Sequence, residues 1–582
     1  MLKRHASDEL TGADTPAKRS RLDEAPAATT TTTATLATAP SSSSTVAGTE
    51  TESIEDATAN LGLDDNDDAQ SRPVRQSAPT AGYDDLYLDT IDRSVLDFDF
   101  EKLCSVSLSN INVYACLVCG RYYQGRGPKS YAYMHALDQD HHVFISLETQ
   151  RVFVLPEGYE VHSRALDDIK FVADPRYTRE EVAALDRPRR SATHLQNDDL
   201  DQHNQQQQQS WTLLGQPYTP GFVGMNNIKE NDYVNVVVQA LAHVAPLRNY
   251  LLLLGDSSGP DATMTTRYSE LVQRCSTLVR KVWNPRAFRA HVSPHELLQE
   301  IALQSGKRFT LTQQSDPVDF LTWFLNNLHL GMGGSRTQPG SSIVQRVFQG
   351  RLKIEAQAIT ARADEVQDRL RFEESAEVKT EVARFMLLTL DLPPPPLFQD
   401  ELEGNPIPHV SLEAIMGKYD GRRAQEHLAQ RKRYRLLHPL PPFLILHIKR
   451  FSKNKFISER NPTIVTFDPR IGLDVAPYVD PASSSSSATA DGCTPGEPIM
   501  YDLVANVVHE AVRSGGIDGM ADSGEERKTW KVQVRDRATD EWVSCQDLFV
   551  EKTQAEMLYL GETYVQVWER RRPPKGKARA GA

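Results

Sequence analysis

Four residues in the first third of the chain have the types and spacing of a tetrahedral metal site. Cys116 and Cys119 are separated by two residues, fifteen residues follow, and His135 and His141 complete the set. Two thiolates from a tight turn and two imidazoles can converge on one zinc ion. The sequence therefore predicts one zinc site, with His142 as the competitor for His141. The alternative is a buried cysteine pair with two surface histidines and no metal.

The cysteine content also favours a metal site over a disulfide framework. Only six cysteines occur in 582 residues, and Cys104, Cys116 and Cys119 lie close together. Such a cluster is typical of metal binding in a reducing compartment. The amino terminus has no apolar signal segment and no long apolar run occurs, so we expect an intracellular protein with no membrane contact.

Charge and local sequence argue against nucleic-acid binding as the main role. The net charge of −13 disfavours a polyanionic partner. A DNA-reading zinc finger places a recognition helix before its histidines, and the segment Gly120–Pro128 would break such a helix. We therefore expect any RNA contact to be peripheral.

Composition predicts four segments without a core. Residues 1–84 are rich in Ser, Thr and Ala, which is typical of a disordered tail. Within them, Pro16–Leu22 is a basic motif of the nuclear-import kind or a chance basic patch. The other three segments are a Gln-rich linker at 191–214, an insertion loop at about 480–497 and a basic tail at 570–582.

Two globular stretches remain, at 85–190 and 215–569. In the first, two short apolar runs at 143–147 and 151–155 predict a hairpin. The second begins with the helical pattern Val234–His243 and ends with strand patterns such as Asp502–Val508. Helices followed by strands predict an α+β domain.

The residues around the predicted metal ligands resemble the UBP-type zinc finger that accompanies several ubiquitin proteases. The shared motifs are Cys-Leu-Val-Cys-Gly at 116–120, Gly-Arg-Tyr at 120–122 and His-His-Val-Phe-Ile-Ser-Leu at 141–147. Such fingers often bind more than one zinc ion. Here Cys104 stands where a second site would start, but Ser107 occupies its partner position, so the resemblance implies a single ion.

Four further segments, in order, resemble the ubiquitin-specific protease family. They are Gly224–Asn235, which is similar to the nucleophile box, and the segments Gln314–Leu321, Phe385–Pro393 and Leu440–Phe451. The resemblance implies a papain-like fold of thumb, palm and fingers over 215–569. Together with the zinc finger before it, the fold class is α+β.

The same resemblance implies that the catalytic positions are replaced. Asp232 stands at the nucleophile, Glu230 at the oxyanion donor, Thr529 at the histidine and Gln546 at the residue that orients it. A thiol protease requires a thiolate, a base and oxyanion donors. We therefore expect no catalytic residue and no protease activity. Neither Cys275, Cys545 nor His509 is expected to replace them.

The predicted fingers subdomain also departs from the family pattern. No cysteine occurs between Cys275 and Cys493, so we expect no metal there. The charged run Ala361–Arg371 is typical of a solvated helix face, and a docking surface is the alternative.

Several phrases, among them Tyr87–Cys104, Trp283–Leu298 and Asn461–Phe467, resemble a subgroup of the family, the tri-snRNP-associated splicing factors. That resemblance implies a nuclear, non-catalytic scaffold that supports tri-snRNP assembly or stability, with spliceosomal proteins as partners. A non-catalytic reader of ubiquitin is the alternative, although the substitutions near the cleft disfavour ubiquitin binding. An active deubiquitinase is the weakest reading.

Overall fold

A computed structural model describes the two globular stretches. The described residues are 86–187, 210–254, 268–364, 369–394, 407–427, 430–453, 458–481, 497–512 and 527–571. The predicted amino-terminal tail, most of the Gln-rich linker, most of the insertion loop and nearly all of the basic tail lie outside them.

The first stretch forms a small antiparallel sheet with a helix across it. Its strands are β1 (Val113–Cys116), β2 (Tyr122–Gln124), β3 (Val143–Ser146), β4 (Val152–Val154) and β5 (Tyr159–Val161), in the order β2-β1-β3-β4-β5. The predicted hairpin is confirmed, because β3 pairs with β4. Its helices are α1 (Tyr131–Gln139), α2 (Asp167–Ala173) and α3 (Arg179–Ala184).

The second stretch begins with a helical layer. It comprises α4 (Asp232–Ala242), α5 (Ala245–Leu253), α6 (Glu270–Val282), α7 (His295–Gln304), α8 (Pro317–Gly331) and α9 (Ile343–Phe348). Every residue of α4 is buried, since this apolar helix lies at the centre of the largest core cluster. Within the described residues, no single helix has the length and apolar content to cross a membrane, although α4 and α5 pass that test as a pair bent by 93°.

A large mixed sheet follows the helices and forms the palm. Its strands are β12 (Leu387–Asp391), β16 (Phe443–Lys449), β25 (Glu562–Arg570), β21 (Met500–Val512), β22 (Arg527–Arg535), β23 (Trp542–Gln546) and β24 (Phe549–Thr553), in that order, with β20 (Leu473–Asp474) paired to β21. Helix α4 packs against β21 and β22. The predicted order of helices before strands, and with it the α+β class, is confirmed.

The remaining short elements connect these layers. They are β6 (Ser210–Trp211), β7 (Pro217–Tyr218), β8 (Gly224–Met225), β9 (His291–Val292), β13 (His409–Ser411), α10 (Leu412–Met416), β17 (Phe451–Lys453), β18 (Ser458–Arg460) and β19 (Ile464–Thr466). The parallel pair of β8 and β9 fixes the segment that leads into α4.

A separate antiparallel sheet, here called the fingers sheet, corrects one expectation. It contains β11 (Arg369–Phe385), β10 (Gly350–Asp364), β15 (Gln430–Leu437) and β14 (Gln425–His427), in that order. The charged run 361–371 was expected to be helical, and this was wrong, because its described residues belong to β10 and β11. The two strands pair over most of their length, from Gly350 opposite Phe385 to Asp364 opposite Arg369. This antiparallel pairing, which joins residues close in sequence at the charged run, overrides the expected helix.

An acidic segment before β1 fixes the first stretch to the helical layer. The Nζ atom of Lys281 on α6 lies 2.6 Å from the Asp99 carboxylate and donates to the Phe98 carbonyl at 2.9 Å. The Glu101 carboxylate lies 2.6 Å from Nε2 of His295 at the start of α7. Although burial disfavours the charge of Lys281, the carboxylates of Asp99 and Glu296 raise the pKa of its amine. The two stretches therefore share a buried, paired interface.

Candidate functional sites: a metal centre and a cleft

The structure brings the four predicted metal ligands together. The ligand atoms of Cys116, Cys119, His135 and His141 all lie within 4.8 Å of one another. The Cys119 Sγ atom is 3.4 Å from Nε2 of His135, and that nitrogen is 3.1 Å from Nδ1 of His141. Zinc bonds of about 2.0–2.3 Å to nitrogen and sulfur require separations of this size between ligands. Two sulfur and two nitrogen donors in this arrangement fit one tetrahedral zinc ion.

Local sequence explains why the cluster forms. The Gly120 amide donates to the Cys116 carbonyl at 2.9 Å and closes the turn between the two cysteines. Gly120 has a φ of +72°, and a Cβ atom there would lie 2.5 Å from the Val95 carbonyl oxygen, so only glycine fits this turn. His135 projects from α1, where the Tyr123 ring stacks on its imidazole with centroids 4.2 Å apart. His141 follows the end of α1.

His142 is directed away from the cluster. Its Nδ1 atom lies 2.7 Å from the Leu155 carbonyl oxygen, and its Nε2 atom lies 2.8 Å from the Asp140 carboxylate. Both ring nitrogens are thus engaged elsewhere, and the structure places His141, the predicted residue, in the cluster. A hydrogen bond between the two thiols lowers the pKa of Cys119 and raises the pKa of Cys116, so Cys119 is the first of the pair to form the thiolate that a metal needs.

Cys104 takes no part in this cluster. It is fully buried, and its Sγ atom accepts a hydrogen bond from the Ser107 amide at 3.4 Å. The serine at the partner position thus contacts the cysteine through its backbone. Within the part of the chain that the structure describes, the Cys116–His141 group is the one cluster of three or more potential metal ligands.

The second candidate site is the junction between the start of α4 and β22 of the palm sheet, which we call the cleft because the resemblance assigns the catalytic positions to it, and Asp232 lies at this junction. Asp232 begins α4 and is 4% exposed. Its carboxylate accepts two hydrogen bonds from Nε2 of Gln314, at 2.7 and 2.9 Å, and one from the Trp530 amide of β22 at 3.2 Å. Its own neighbour on α4, Tyr233, donates a backbone amide at 2.8 Å. The carboxylate therefore joins three separate segments of the fold.

This carboxyl group is electrostatically unfavourable despite its donors. Burial raises the pKa of Asp232, the hydrogen bond from Gln314 lowers it in part, and the charge of Asp547 raises it further. Asp547 lies beside the same helix, where its two oxygens accept from the side-chain amides of Asn227 at 3.0 Å and Asn235 at 3.1 Å. A network of amides thus holds two carboxylates near each other.

The other positions that the resemblance assigned to catalysis lie in different settings. Thr529 precedes Trp530, so it adjoins the cleft, and its hydroxyl donates to the Glu510 carbonyl at 3.1 Å. Glu230 is exposed, and its amide donates to the Leu311 carbonyl. Gln546 closes β23 opposite Phe549. Among the described residues, no hydrogen bond joins any of these three side chains to Asp232, so the structure brings only the strand of Thr529 to it.

Two further thiols within the described residues, Cys275 and Cys545, and the nearby His509 are built into the core. Burial raises the pKa of Cys275 to about 12 and that of Cys545 to about 12, so both stay protonated at neutral pH. His509 is 2% exposed, and its Nδ1 atom lies 3.0 Å from the Glu562 carboxylate. Its environment is that of a structural residue.

Sequence patterns missed the partners of Asp232. Gln314 was recognised only as part of a helical box, and it lies just before α8. Asn231 is fully buried, and its side-chain oxygen accepts from the Ile228 amide at 2.7 Å, which shapes the turn before α4. Asp547 adjoins Gln546 in the sequence, so its position beside the predicted orienting residue was the available signal.

Comparison with known families agrees with this geometry. Residues 223–568 match the family described as "Ubiquitin carboxyl-terminal hydrolase", and residues 104–166 match "Zn-finger in ubiquitin-hydrolases and other protein". The chain therefore belongs to the ubiquitin carboxyl-terminal hydrolase family and carries the zinc finger of that family before the hydrolase fold. The predicted fold is confirmed, and zinc is the cofactor that this finger implies.

Individual relatives cover most of the chain. It is 46% identical over 83% of its length to "Probable mRNA-splicing protein ubp10" of Schizosaccharomyces pombe, covering 88% of that protein. It is 42% identical over 90% of its length to "Ubiquitin carboxyl-terminal hydrolase 39" of Homo sapiens, covering 84% of that protein. A solved structure titled "Crystal structure of an essential yeast splicing factor" is 28% identical, with a TM-score of 0.61 over 84% of this chain and 100% of that one.

Proposed function

We propose that this chain is a non-catalytic pre-mRNA splicing factor of the nucleus, a protein-binding scaffold that supports assembly or stability of the tri-snRNP. The observation that carries the proposal is likeness along nearly the whole chain to proteins named for splicing. The similarity includes both the zinc finger and the hydrolase fold, so it extends beyond a shared domain. Spliceosomal proteins are the proposed partners.

The chemistry of the cleft supports the non-catalytic part of the proposal. The resemblance places Asp232 where a thiolate is needed, and its carboxylate is occupied by donors from Gln314, Tyr233 and Trp530. Thr529 supplies no base at the histidine position, and the charge of Glu230 would oppose a developing oxyanion. Gln546 at the orienting position then has no histidine to orient. A carboxylate that is hydrogen-bonded in this way serves the fold.

Zinc has a structural role in this proposal. Cys116, Cys119, His135 and His141 would hold the ion and tie the turn after β1 to the end of α1. Structural zinc sites of this kind have all four positions filled by protein, and they stabilise small domains directly. We propose 85–190 as the zinc-finger domain and 215–569 as the hydrolase-like domain, joined by the linker 191–214.

A pull-down from nuclear extract tests the proposed function. The tagged full chain is expected to recover spliceosomal proteins and small nuclear RNAs of the tri-snRNP, while the tag alone recovers none. Recovery of neither class would contradict the scaffold role.

The name of the human relative makes an active hydrolase the second candidate. Ubiquitin with a cysteine-reactive group at its carboxyl terminus separates the two, with an active ubiquitin protease as the positive control. We expect no covalent adduct. An adduct would establish a reactive thiol and overturn the non-catalytic reading, and saturable noncovalent binding would favour a ubiquitin reader.

A further inference from the structure

One face of the fingers sheet concentrates positive charge. The pairing register places alternate residues of its four strands on the same side. Six basic side chains share that side, which we call the basic face: Arg351, Lys353, Arg384, Arg431, Arg433 and Arg435. The described acidic residues on it are Glu355 and Glu426, with Asp480 reaching Lys353 from the adjoining segment.

The basic face is the outward side of this sheet. Leu352 and Tyr434, which alternate with the basic residues, pack against the second core cluster. On the basic face, by contrast, Val378 is 45% exposed and Val382 is 55% exposed. The face therefore combines cations with accessible apolar surface, which is a common composition at binding sites.

Several charges on this face lie in positions that destabilise the sheet. Arg351 lies directly opposite Arg384, and Lys353 lies directly opposite Arg435. Like charges in directly opposed positions destabilise a sheet. Glu355 and Asp480 balance Lys353, at 2.9 and 3.0 Å. Glu355 also lies directly opposite Arg433, but in the described ranges no ion pair joins an acidic side chain to Arg384 or Arg435. An arrangement that weakens the fold and is only partly compensated indicates a functional surface.

The spacing of the arginines identifies the kind of partner. Arg431, Arg433 and Arg435 alternate along β15, so neighbours are about 6.6 Å apart, as are alternate side chains of an extended peptide. Each guanidinium can hold a carboxylate through two hydrogen bonds. Single-stranded nucleic-acid sites add aromatic rings for base stacking. The described residues of the basic face include no aromatic side chain on which bases could stack.

We propose that the basic face is a docking surface for an acidic, extended segment of a partner protein. The carboxylates of that segment pair with the arginines of β15, and its intervening side chains contact Val378 and Val382. This binding requires no other spliceosomal component, so it is distinct from the proposed splicing role and can be measured with the purified chain.

Fluorescence anisotropy with a labelled peptide of alternating glutamate and threonine tests this proposal. The purified full-length protein is expected to bind the peptide, more weakly at physiological than at low ionic strength. The double substitution R433E/R435E is expected to weaken binding about tenfold or more. The matched control K379E/K432E reverses two charges on the opposite face of β11 and β15, and it should change the affinity less than about twofold. The variant R433K/R435K keeps the positive charge but loses the pair of hydrogen bonds that a guanidinium makes to one carboxylate. Its affinity for the peptide should lie between those of R433E/R435E and K379E/K432E.

Thermal unfolding of each variant shows whether the sheet stays folded. The proposal is overturned if the wild-type chain does not bind the peptide, or if the control variant loses as much affinity as R433E/R435E. It is also overturned if an oligouridylate of equal length binds more tightly and is lost in the same variant, since this would show a nucleic-acid surface. None of these results changes the expected outcome of the nuclear pull-down, so the splicing proposal is tested separately.

Discussion

Replacing Asp232 with alanine tests whether the predicted nucleophile position now serves folding. The substitution D232A removes the acceptor of the Tyr233 and Trp530 amides and of the Gln314 side chain. The Trp530 amide lies beyond the last residue pair of β22 with β23, Val532 opposite Cys545, so β23 offers it no replacement acceptor. An unsatisfied buried donor costs about 1–3 kcal/mol, and two amides therefore cost about 2–6 kcal/mol.

Removal of the buried charge offsets part of this cost, because the raised pKa of Asp232 shows that its charged form is disfavoured by burial. We expect the free energy of unfolding to fall by about 2–4 kcal/mol in D232A. The isosteric variant D232N should lose less, about 1–3 kcal/mol, because Gln314 can rotate its amide while the Trp530 amide cannot. The matched control is E230A, which alters an exposed residue in the same turn and should be neutral.

The pH dependence has a defined sign. The pKa of Asp232 is raised in the folded state, so the folded chain holds this proton more tightly than the unfolded chain. The contribution of Asp232 to the free energy of unfolding therefore falls as the pH rises from the pKa of this group in the unfolded chain to its pKa in the folded chain. Above the pKa in the folded chain, this contribution is constant. An amide at this position does not titrate, so the stability gap between wild type and D232N should widen on acidification. Urea denaturation followed by tryptophan fluorescence measures this gap. Equal stability of wild type and D232A at neutral pH, or a gap that narrows in acid, would refute the reasoning.

Three further predictions concern the other sites. The variant C119A should lose its zinc by elemental analysis while H142A keeps it, and metal loss in H142A instead would reassign the ligand. The variant D99A should destabilise the chain by about 3–5 kcal/mol in chemical denaturation, because it leaves the Lys281 ammonium buried without its carboxylate. The variant K281M should lower the free energy of unfolding by less than D99A does. If K281M lowers it by more, the pairing of Lys281 with Asp99 is not the main contact. The variant D232C should form no adduct with reactive ubiquitin, since within the described residues no histidine is hydrogen-bonded to position 232; labelling as fast as that of an active protease would show that a base is present.

The metal centre was the part of the molecule most accessible from sequence. Its cysteines share one turn, and Gly120 is local to it, so short-range spacing carries the information. The choice between His141 and His142 was not accessible, because it depends on the Leu155 carbonyl that holds the His142 ring. That carbonyl belongs to a strand end that adjoins the site only in the folded chain.

Strand pairing and tertiary contacts explain the failures. In the charged run at 361–371, Ala361 and Ala363 alternate with Arg362 and Asp364, which is a strand pattern that the helical interpretation overlooked. The strand conformation of the run depends on pairing between β10 and β11. The role of Gln314 likewise depends on a contact with Asp232 across 82 positions of sequence. Motif order predicted the fold because each motif is local, whereas the contacts among motifs are set by tertiary structure.

The paired interface at Asp99 and Glu101 has a consequence for assembly. It joins the zinc finger to α6 and α7, so surfaces on the finger and on this helical layer keep one separation and one relative orientation. A partner that engages both would meet the second surface at an effective concentration set by this spacing and not by a flexible tether. Partners with a different spacing gain nothing from the second contact. The acidic segment before β1 thus favours partners whose two binding regions match the spacing of these two surfaces.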